Sequence, residues 1–326
     1  GREQGGGHLS SPAANGRRRT LLPPEVGSPT DLGRMLGEVG YLADTGVAYS
    51  CYLSLALQRP LFCEGEAGVG KTSLAHALAD ALGAPLIRLQ CYEGIDASQA
   101  LYDWDFPRQL MHLRAAEAIG RTGAGQASAP DPDALENELY SRRFLVSRPL
   151  LSALETTPAV LLVDEVDRAD DEFEAFLLEI LSDFTVTIPE LGTVRAEVPP
   201  AVILTSNRTR DVHDALKRRC LYHWLDHPSF EREVEIVRTR LPRVSAELAE
   251  QVTAAVQRLR KQPLLKPPGV AETLDWAEAL LALGAERLEP ELATLTLGSV
   301  LKYHEDQQRV DRNNVSVLVS QALAGG

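Results

Sequence analysis

Short apolar runs alternate with amphipathic segments along the first two thirds of the chain. Four compact runs are typical of buried strands in a parallel sheet: Pro60–Glu64, Pro85–Cys91, Ala159–Val163 and Ala201–Thr205. Apolar residues recur at helical spacing over Thr72–Leu82 and Asp170–Phe184, which predicts two helices. Thr185–Val198 alternates apolar and polar residues around a Pro/Gly turn, and this predicts a β-hairpin.

After Pro228, the apolar residues recur only at helical spacing, and no strand pattern is present. This spacing predicts four helices: Phe230–Leu241, Ala246–Lys261, Glu272–Leu283 and Pro290–Tyr303. Strands that alternate with helices, followed by helices alone, indicate a helix-flanked parallel α/β sheet and then a small all-α lid domain. We therefore predict an α/β domain over residues 30–228 and a helical domain over residues 229–326.

Two segments lack a packing pattern. The start of the chain is rich in Gly, Ser, Pro and Arg, and we predict a disordered tail over residues 1–29. The low-complexity stretch 120–132 interrupts a region that otherwise reads as strand or helix, and we predict a flexible surface loop there.

The composition narrows the possible functions. The net charge is −13, and an acidic surface repels phosphate backbones, so nonspecific binding to nucleic acid is disfavoured. The four cysteines form no C-x-x-C pair, so we expect small buried side chains rather than a zinc site. No run approaches the ~18 apolar residues of a membrane span, and no secretory signal is evident. We expect a cytoplasmic protein without a membrane span.

A glycine-rich loop carries the strongest chemical signal. The segment Gly65-Glu-Ala-Gly-Val-Gly-Lys-Thr72 fits the pattern G-x-x-x-x-G-K-[ST] in full, between a predicted strand and a predicted helix. We expect Gly65, Gly68 and Gly70 to adopt backbone angles closed to other residues. The loop and the helix N-terminus would then present N–H groups to phosphates.

Lys71 would reach the β- and γ-phosphates, and the Thr72 hydroxyl would bind Mg²⁺. The predicted ATP-binding residues are Gly65, Ala67, Gly68, Val69, Gly70, Lys71, Thr72, Ser73 and Asp164.

Polar residues end two further predicted strands, near the expected phosphates. Asp164 and Glu165 follow one strand, and we expect Asp164 to join Thr72 at the Mg²⁺ and Glu165 to act as general base on water. Asn207 follows the next strand and would bind the attacking water or the γ-phosphate. An ordinary turn asparagine is the alternative.

Two arginines end a short predicted helix, Arg218 and Arg219. An arginine supplied across a subunit interface can stabilise the charge of phosphoryl transfer. A solvated basic helix end, favoured by the helix dipole, is the alternative.

In this order and spacing, these motifs resemble those of AAA+ ATPases. Within that superfamily, Asp164-Glu-Val-Asp-Arg-Ala169 is similar to a signature of the MoxR class. The resemblance implies an insert in the second helix, at about residues 101–145, and a hairpin before the sensor Asn, at residues 185–198. Glu64–Lys71, Arg218–Tyr222 and Gly269–Trp276 are most similar to the CoxD-like subgroup.

The resemblance implies an ATP-hydrolysing chaperone that assembles as a homo-hexamer and remodels a partner protein. A von Willebrand factor A-type partner is implied. The target would be a metalloenzyme, with metal-cofactor insertion into a carbon monoxide dehydrogenase-like molybdenum enzyme as the expected task. The main alternative is an AAA+ motor that acts on nucleic acid, and a small-molecule P-loop kinase is a further one.

Residue by residue, the resemblance makes Arg219 the preferred arginine finger and Arg218 the reserve. One departure concerns the lid helix, at whose start many MoxR proteins carry a sensor-2 arginine. The segment Pro267-Pro-Gly-Val-Ala271 offers none, and Lys266 is the nearest cation in the sequence.

Overall fold

The structure is a computed structural model that describes residues 19–122, 131–310 and 312–324. In chain order, the strands are β1 Leu61–Gly65, β2 Leu86–Gln90, β3 Tyr102–Trp104, β4 Leu145–Ser147, β5 Val160–Asp164, β6 Thr185–Ile188, β7 Gly192–Arg195, β8 Ala201–Ser206 and β9 Leu221–Leu225. Within the described ranges, five strands form one parallel sheet in the order β2-β5-β8-β1-β9.

Helices surround this sheet and then continue alone to the end of the described chain. The helices of the sheet region are α1 Pro29–Glu38, α2 Thr45–Leu57, α3 Lys71–Leu82, α4 Ala97–Ala100, α5 Phe106–Thr122, α6 Pro132–Leu139, α7 Pro149–Glu155, α8 Asp171–Asp183 and α9 Asp214–Arg219. The later helices are α10 Phe230–Arg240, α11 Ala246–Arg260, α12 Val270–Ala282, α13 Pro290–Leu295, α14 Leu297–Val300, α15 His304–Arg309 and α16 Arg312–Leu323. None of the described helices is both long and apolar enough to cross a membrane.

The central strands are buried along their whole length, as their apolar runs predict. Every residue of β1, β5 and β8 is buried, because helices cover both faces of the sheet. The register pairs Gln90 with Asp164 and Glu64 with Ser206, so the strands end at the same edge. This edge brings together the polar residues that follow the strands.

The edge strand β9 is absent from the sequence prediction. Its polar and aromatic residues, such as Tyr222, His223 and Trp224, leave no apolar run to read. The strand nevertheless pairs with β1 over five residues, from Leu61–Leu221 to Gly65–Leu225. A strand at the edge of a sheet is less buried and needs fewer apolar residues. This explains why the search for apolar runs does not predict β9.

The predicted disordered tail is too long. Residues 1–18 lie outside the described residues, but residues 19–29 pack against α2 and the sheet. Val26 is buried, the Thr20 hydroxyl donates to the carbonyl of Leu55 at 3.0 Å, and the Tyr52 hydroxyl donates to the carbonyl of Gly27 at 3.1 Å. The apolar residues of this segment complete a hydrophobic cluster with α1, α2 and α3. This packing explains why the segment is ordered.

Two small antiparallel pairs extend from the sheet region. β3 pairs with β4, and α5 and α6 lie between them in sequence, where the resemblance implies an insert. β6 pairs with β7 around the turn at residues 189–191, at the position of the predicted hairpin. The predicted flexible loop at 120–132 begins inside α5, and its residues 123–130 lie outside the described residues.

All four cysteines are buried free thiols, which confirms that they are small buried side chains. Burial raises the pKa of Cys51, Cys91 and Cys220 to about 12, so these thiols stay protonated at neutral pH.

The later helices enclose a hydrophobic core of their own, centred on the fully buried Trp276. The first three predicted helices of this region are present with small shifts of their ends. The fourth, Pro290–Tyr303, is broken into α13 and α14 at Thr296, whose hydroxyl accepts a hydrogen bond from the Trp276 indole at 2.7 Å. α15 and α16 were not predicted.

A buried ion pair links three of these helices. Both guanidinium nitrogens Nη1 and Nη2 of Arg260 donate to the Glu233 carboxylate at 2.7 Å, and the Thr273 hydroxyl donates to it at the same distance. The side chain of Glu233 is fully buried and that of Arg260 is 10% exposed. Arg260 Nε also donates to the carbonyl of Pro268 at 2.7 Å, so the pair fixes the loop that precedes α12.

We expect Glu233→Ala to lower the free energy of unfolding by about 3–5 kcal/mol, because it leaves the buried Arg260 charge without its partner. Glu235→Ala is the matched control: its carboxylate is on the same helix, is 58% exposed and, within the described part of the chain, pairs with Arg232 alone, so we expect a change within ~0.5 kcal/mol. Urea denaturation followed by circular dichroism measures both. Equal losses in the two variants would contradict the prediction.

Candidate functional site

The glycine-rich loop joins the end of β1 to the start of α3. Gly68 and Gly70 have positive φ angles of 79° and 100°, as expected for positions that other residues rarely adopt. Gly65 differs from the expectation, because it lies in extended β1 and its φ is not positive. A Cβ at Gly65 would lie 2.4 Å from the carbonyl oxygen of Leu225, so the close approach of β9 requires glycine there.

Lys71 is buried at the first position of α3. Its ammonium donates to the carbonyls of Gly65 at 2.9 Å and Glu66 at 2.6 Å, inside the curve of the loop. Burial lowers the pKa of Lys71, and the nearby carboxylates, including Asp164 and Glu165, oppose this shift. The cation is therefore held by the backbone of the loop itself.

Asp164 is the most enclosed acid of the site, with 5% of its side chain exposed. It accepts hydrogen bonds from the Thr205 hydroxyl at 2.5 Å and from the Thr72 hydroxyl at 3.3 Å. Arg88 Nη2 forms an ion pair with it at 2.5 Å. The structure thus brings the predicted pair Thr72 and Asp164 together, and it adds a cation from β2 that the sequence analysis did not select.

Glu165 begins the turn after β5 with a φ of 54°, in the left-handed region. Its N–H donates to the Thr205 hydroxyl at 2.9 Å, and its carboxylate accepts from the Gln90 amide at 3.1 Å. Thr205 therefore bridges the backbone of Glu165 and the carboxylate of Asp164. The signal that could have found Thr205 and Gln90 is their place at the ends of strands next to β5.

Most of the predicted site residues line one cavity of about 650 Å³. The wall from the sheet region contains Ala67, Gly68, Gly70, Lys71, Thr72, Ser73, Asp164, Glu165, Thr205 and Asn207. Its opposite wall comes from α10 and α12 and contains Arg240, Leu241, Val270, Ala271, Leu274, Asp275 and Glu278. Asn207 is half-buried at the end of β8, on the same side as Glu165.

A second cavity of about 350 Å³ adjoins the first. Its lining is more apolar and includes Tyr41, Leu42, Val47, Val69, Leu225, Pro228 and Ile236. Gly65 is not among the lining residues of either cavity, whereas Val69 lines this second one.

The start of α12 lies directly on the glycine-rich loop. The N–H of Val270 donates to the carbonyl of Gly68 at 2.9 Å, and the N–H of Gly269 donates to the Glu272 carboxylate at 2.8 Å. A Cβ at Gly269 would lie 2.7 Å from both the Cα and the carbonyl oxygen of Gly68. Lys266, the cation expected near this point, lines neither cavity.

The two candidate finger arginines do not line either cavity of their own chain. The Arg219 guanidinium is half-buried and donates to the carbonyl of Ser182, whereas Arg218 is exposed. Arg59 donates to the carbonyls of Arg218, Arg219 and Cys220 and thereby fixes the end of α9.

A family model for the AAA domain (dynein-related subfamily) matches residues 60–220, just under half of the chain. The match supports an AAA domain over these residues. The parallel five-stranded sheet with its flanking helices, followed by helices alone, confirms the predicted fold class. No curated protein matches the chain.

Solved structures of RuvB from Thermotoga maritima are among those similar to this chain. The structure described as a Holliday junction branch migration motor has 16% sequence identity and a TM-score of 0.45, and covers 83% of this chain and 72% of that chain. One mutant of that protein has 18% identity and a TM-score of 0.45, covering 82% and 72%. A second has 15% identity and a TM-score of 0.45, covering 88% and 72%.

We expect Gly269→Ala to separate the start of α12 from the loop, at a cost of about 1–3 kcal/mol, because the new Cβ overlaps the Gly68 backbone. Hydrogen exchange of the Val270 amide should accelerate, since its acceptor is the Gly68 carbonyl. Gly298→Ala is the matched control, because its Cβ would meet nothing nearer than 3.8 Å. Unchanged exchange of Val270 in Gly269→Ala would contradict the prediction.

Proposed function

We propose that this chain is an ATP-hydrolysing AAA+ motor whose nucleotide binds in the two adjoining cavities. The observation that carries the proposal is the convergence of Lys71, Thr72, Asp164, Glu165 and Asn207 on one cavity beside the glycine-rich loop. An AAA domain supports ATP binding and hydrolysis in general, and these side chains are the ones that phosphoryl transfer uses.

The phosphates would lie against Lys71 and the loop N–H groups, and the base would enter the second cavity. The positive φ angles of Gly68 and Gly70 support this arrangement, because they form the bend from which the loop N–H groups can converge. The apolar lining of the second cavity, including Leu225 and Ile236, suits a flat aromatic base.

The donor set fits Mg²⁺. Thr72 and Asp164 offer a hydroxyl and a carboxylate oxygen 3.3 Å apart, and Mg²⁺ is usually held by one or two such groups together with substrate phosphates. The described part of the chain contains no group of three or more acidic, His or Cys side chains that could hold a metal ion. The proposed Mg²⁺ would therefore take its further ligands from the phosphates. Bound there, Mg²⁺ would neutralise phosphate charge.

Glu165 is the proposed general base. It follows Asp164 directly and lines the same cavity as Lys71, and the Thr205 hydroxyl accepts a hydrogen bond from its backbone N–H, which supports this role. Gln90 donates to Oε2 of this carboxylate, and Oε1 can accept a proton from water while that contact is in place. Asn207 would orient the same water.

We expect Glu165→Gln to retain ATP binding and to lower the rate of ATP hydrolysis by about 10²–10⁴-fold, because the amide cannot accept the proton. Lys71→Ala should lose nucleotide binding itself. Phosphate release measures hydrolysis, and fluorescence of a labelled ATP measures binding. Glu172→Gln, at an exposed position on α8, is the control. Normal turnover by Glu165→Gln would rule out the base assignment.

We propose Arg218, rather than the initially preferred Arg219, as the residue that reaches a neighbouring subunit's site. Arg218 is exposed, whereas the Arg219 guanidinium is engaged by the carbonyl of Ser182 in its own chain. Both remain candidates for the homo-hexamer that the resemblance implies, with Arg219 now the reserve.

We expect Arg218→Ala to lower hydrolysis on the order of 10³-fold with ATP binding intact. Mixing it with Glu165→Gln subunits should restore activity at about a quarter of the sites, because each such site combines one intact Glu165 with one intact Arg218. Arg219→Ala, mixed in the same way, is the comparison. Complementation by Arg219→Ala alone would return the role to Arg219, and none by either would oppose a shared site.

The proposed task is the remodelling or maturation of a partner protein, as in the MoxR class and its CoxD-like subgroup. The signature Asp164–Ala169, together with the β3–β4 insert and the β6–β7 hairpin, supports this proposal. A von Willebrand factor A-type partner and a molybdenum enzyme of the carbon monoxide dehydrogenase kind are the proposed associates. Stimulation of ATP turnover by such a partner, and not by other proteins, would test it.

The alternative is a motor that acts on nucleic acid. The net charge of −13 disfavours it, because phosphate contacts require a basic surface. Tight, salt-sensitive binding of DNA in a filter assay would favour this alternative over the chaperone.

A further inference from the structure

The two cavities share a boundary, and the residues that line it come from both sides. From the sheet region it contains Gly70 and Ser73, and from the helical region it contains Arg240, Val270 and Leu274. Arg240 is the last residue of α10 and is exposed. It therefore lies where a ligand that filled both cavities would pass from one to the other.

The Arg240 guanidinium has no hydrogen bond or ion pair with any other residue in the described ranges, in contrast to Arg232 and Arg260. Arg232, on the same helix, donates to Glu235 and to the carbonyl of Ala43. Arg260 is buried against Glu233. The donors of Arg240 are thus available to a ligand, and unlike Arg238 on the same helix, Arg240 lines both cavities.

The charge on the helical wall favours such a contact. Among the described residues, Arg240 is the one cation that this wall contributes to the larger cavity, where Asp275 and Glu278 on α12 are its other charged groups. Lys302 lies 3.6 Å from Asp275 and offsets part of that charge. Phosphates that enter the cavity would meet two carboxylates, and Arg240 counters their repulsion.

We propose that Arg240 binds the phosphate nearest the nucleoside, and this inference rests on the proposed ATP site. Lys71, Thr72 and Asp164 line only the larger cavity, so the outer phosphates and the Mg²⁺ would lie there. Ser73 and Gly70 lie at the boundary, and loop N–H groups at that end of such a motif hold the α- and β-phosphates. Arg240 faces this boundary from the other wall, and its planar fork suits a phosphate.

This placement has a consequence for selectivity between nucleotides. A cation at the inner phosphate contacts ATP, ADP and AMP alike, whereas a cation at the outer phosphate distinguishes ATP from ADP. Arg240 therefore strengthens nucleotide binding without reporting whether ATP has been hydrolysed.

The test compares binding of ATP, ADP, AMP and adenosine by displacement of a fluorescent nucleotide from the full chain. We expect Arg240→Ala to weaken binding of the three phosphorylated ligands by roughly tenfold each, and to leave adenosine unchanged. Arg240→Lys keeps the charge and loses the fork, so its loss should be smaller. Arg238→Ala is the matched control, because Arg238 is an exposed arginine on the same helix that lines neither of these cavities.

Each other outcome overturns the inference in a distinct way. Unchanged binding by Arg240→Ala would show that the side chain makes no contact, and an equal loss in Arg238→Ala would show a general charge effect. A loss for ATP with none for ADP would move the contact to the outer phosphate. Failure of the unsubstituted chain to bind any nucleotide would refute the proposed function itself, and with it this inference.

Discussion

The contact between the backbones of Gly68 and Gly269 is the constraint on which the site depends. The two backbones approach so closely that a Cβ on Gly269 would lie 2.7 Å from the Cα and the carbonyl oxygen of Gly68. The hydrogen bond from Val270 to the Gly68 carbonyl closes the same contact. Because both cavities have one wall from the sheet region and one from the helices, their shape follows from this junction.

The buried pair of Glu233 and Arg260 holds the helical side of that junction. Arg260 donates to the carbonyl of Pro268, the residue immediately before Gly269, while Glu233 belongs to α10 and accepts from Thr273 on α12. A buried charge pair is weak grounds for stability by itself, but its hydrogen bonds fix relative positions. The same network therefore joins the first turn of α10, the helix that ends at Arg240, to the start of α12.

The site residues that the sequence predicts belong to local patterns along the chain. The site residues that it does not predict depend on which helices and strands become neighbours in the fold. A glycine pattern between strand and helix identifies Lys71 and Thr72, and acids at a strand end identify Asp164, because strand ends share one edge. Arg88 reaches Asp164 only because β2 lies next to β5, an order that no local pattern contains. Arg240 was missed for the same reason, since its role rests on a helix end meeting the loop across two regions of the chain.

The surroundings of Asp164 show why these neighbours matter to the chemistry. A buried carboxylate needs partners, and Arg88 and Thr205 supply them beside Thr72. Arg88 contacts Oδ2 of Asp164, whereas the Thr72 and Thr205 hydroxyls both donate to Oδ1, the oxygen that the proposed Mg²⁺ would share with Thr72. Thr205 also accepts a hydrogen bond from the backbone N–H of Glu165, so it links this oxygen to the proposed base. A change at Oδ1 would therefore reach Glu165 through Thr205, while the Arg88 contact lies on the other oxygen.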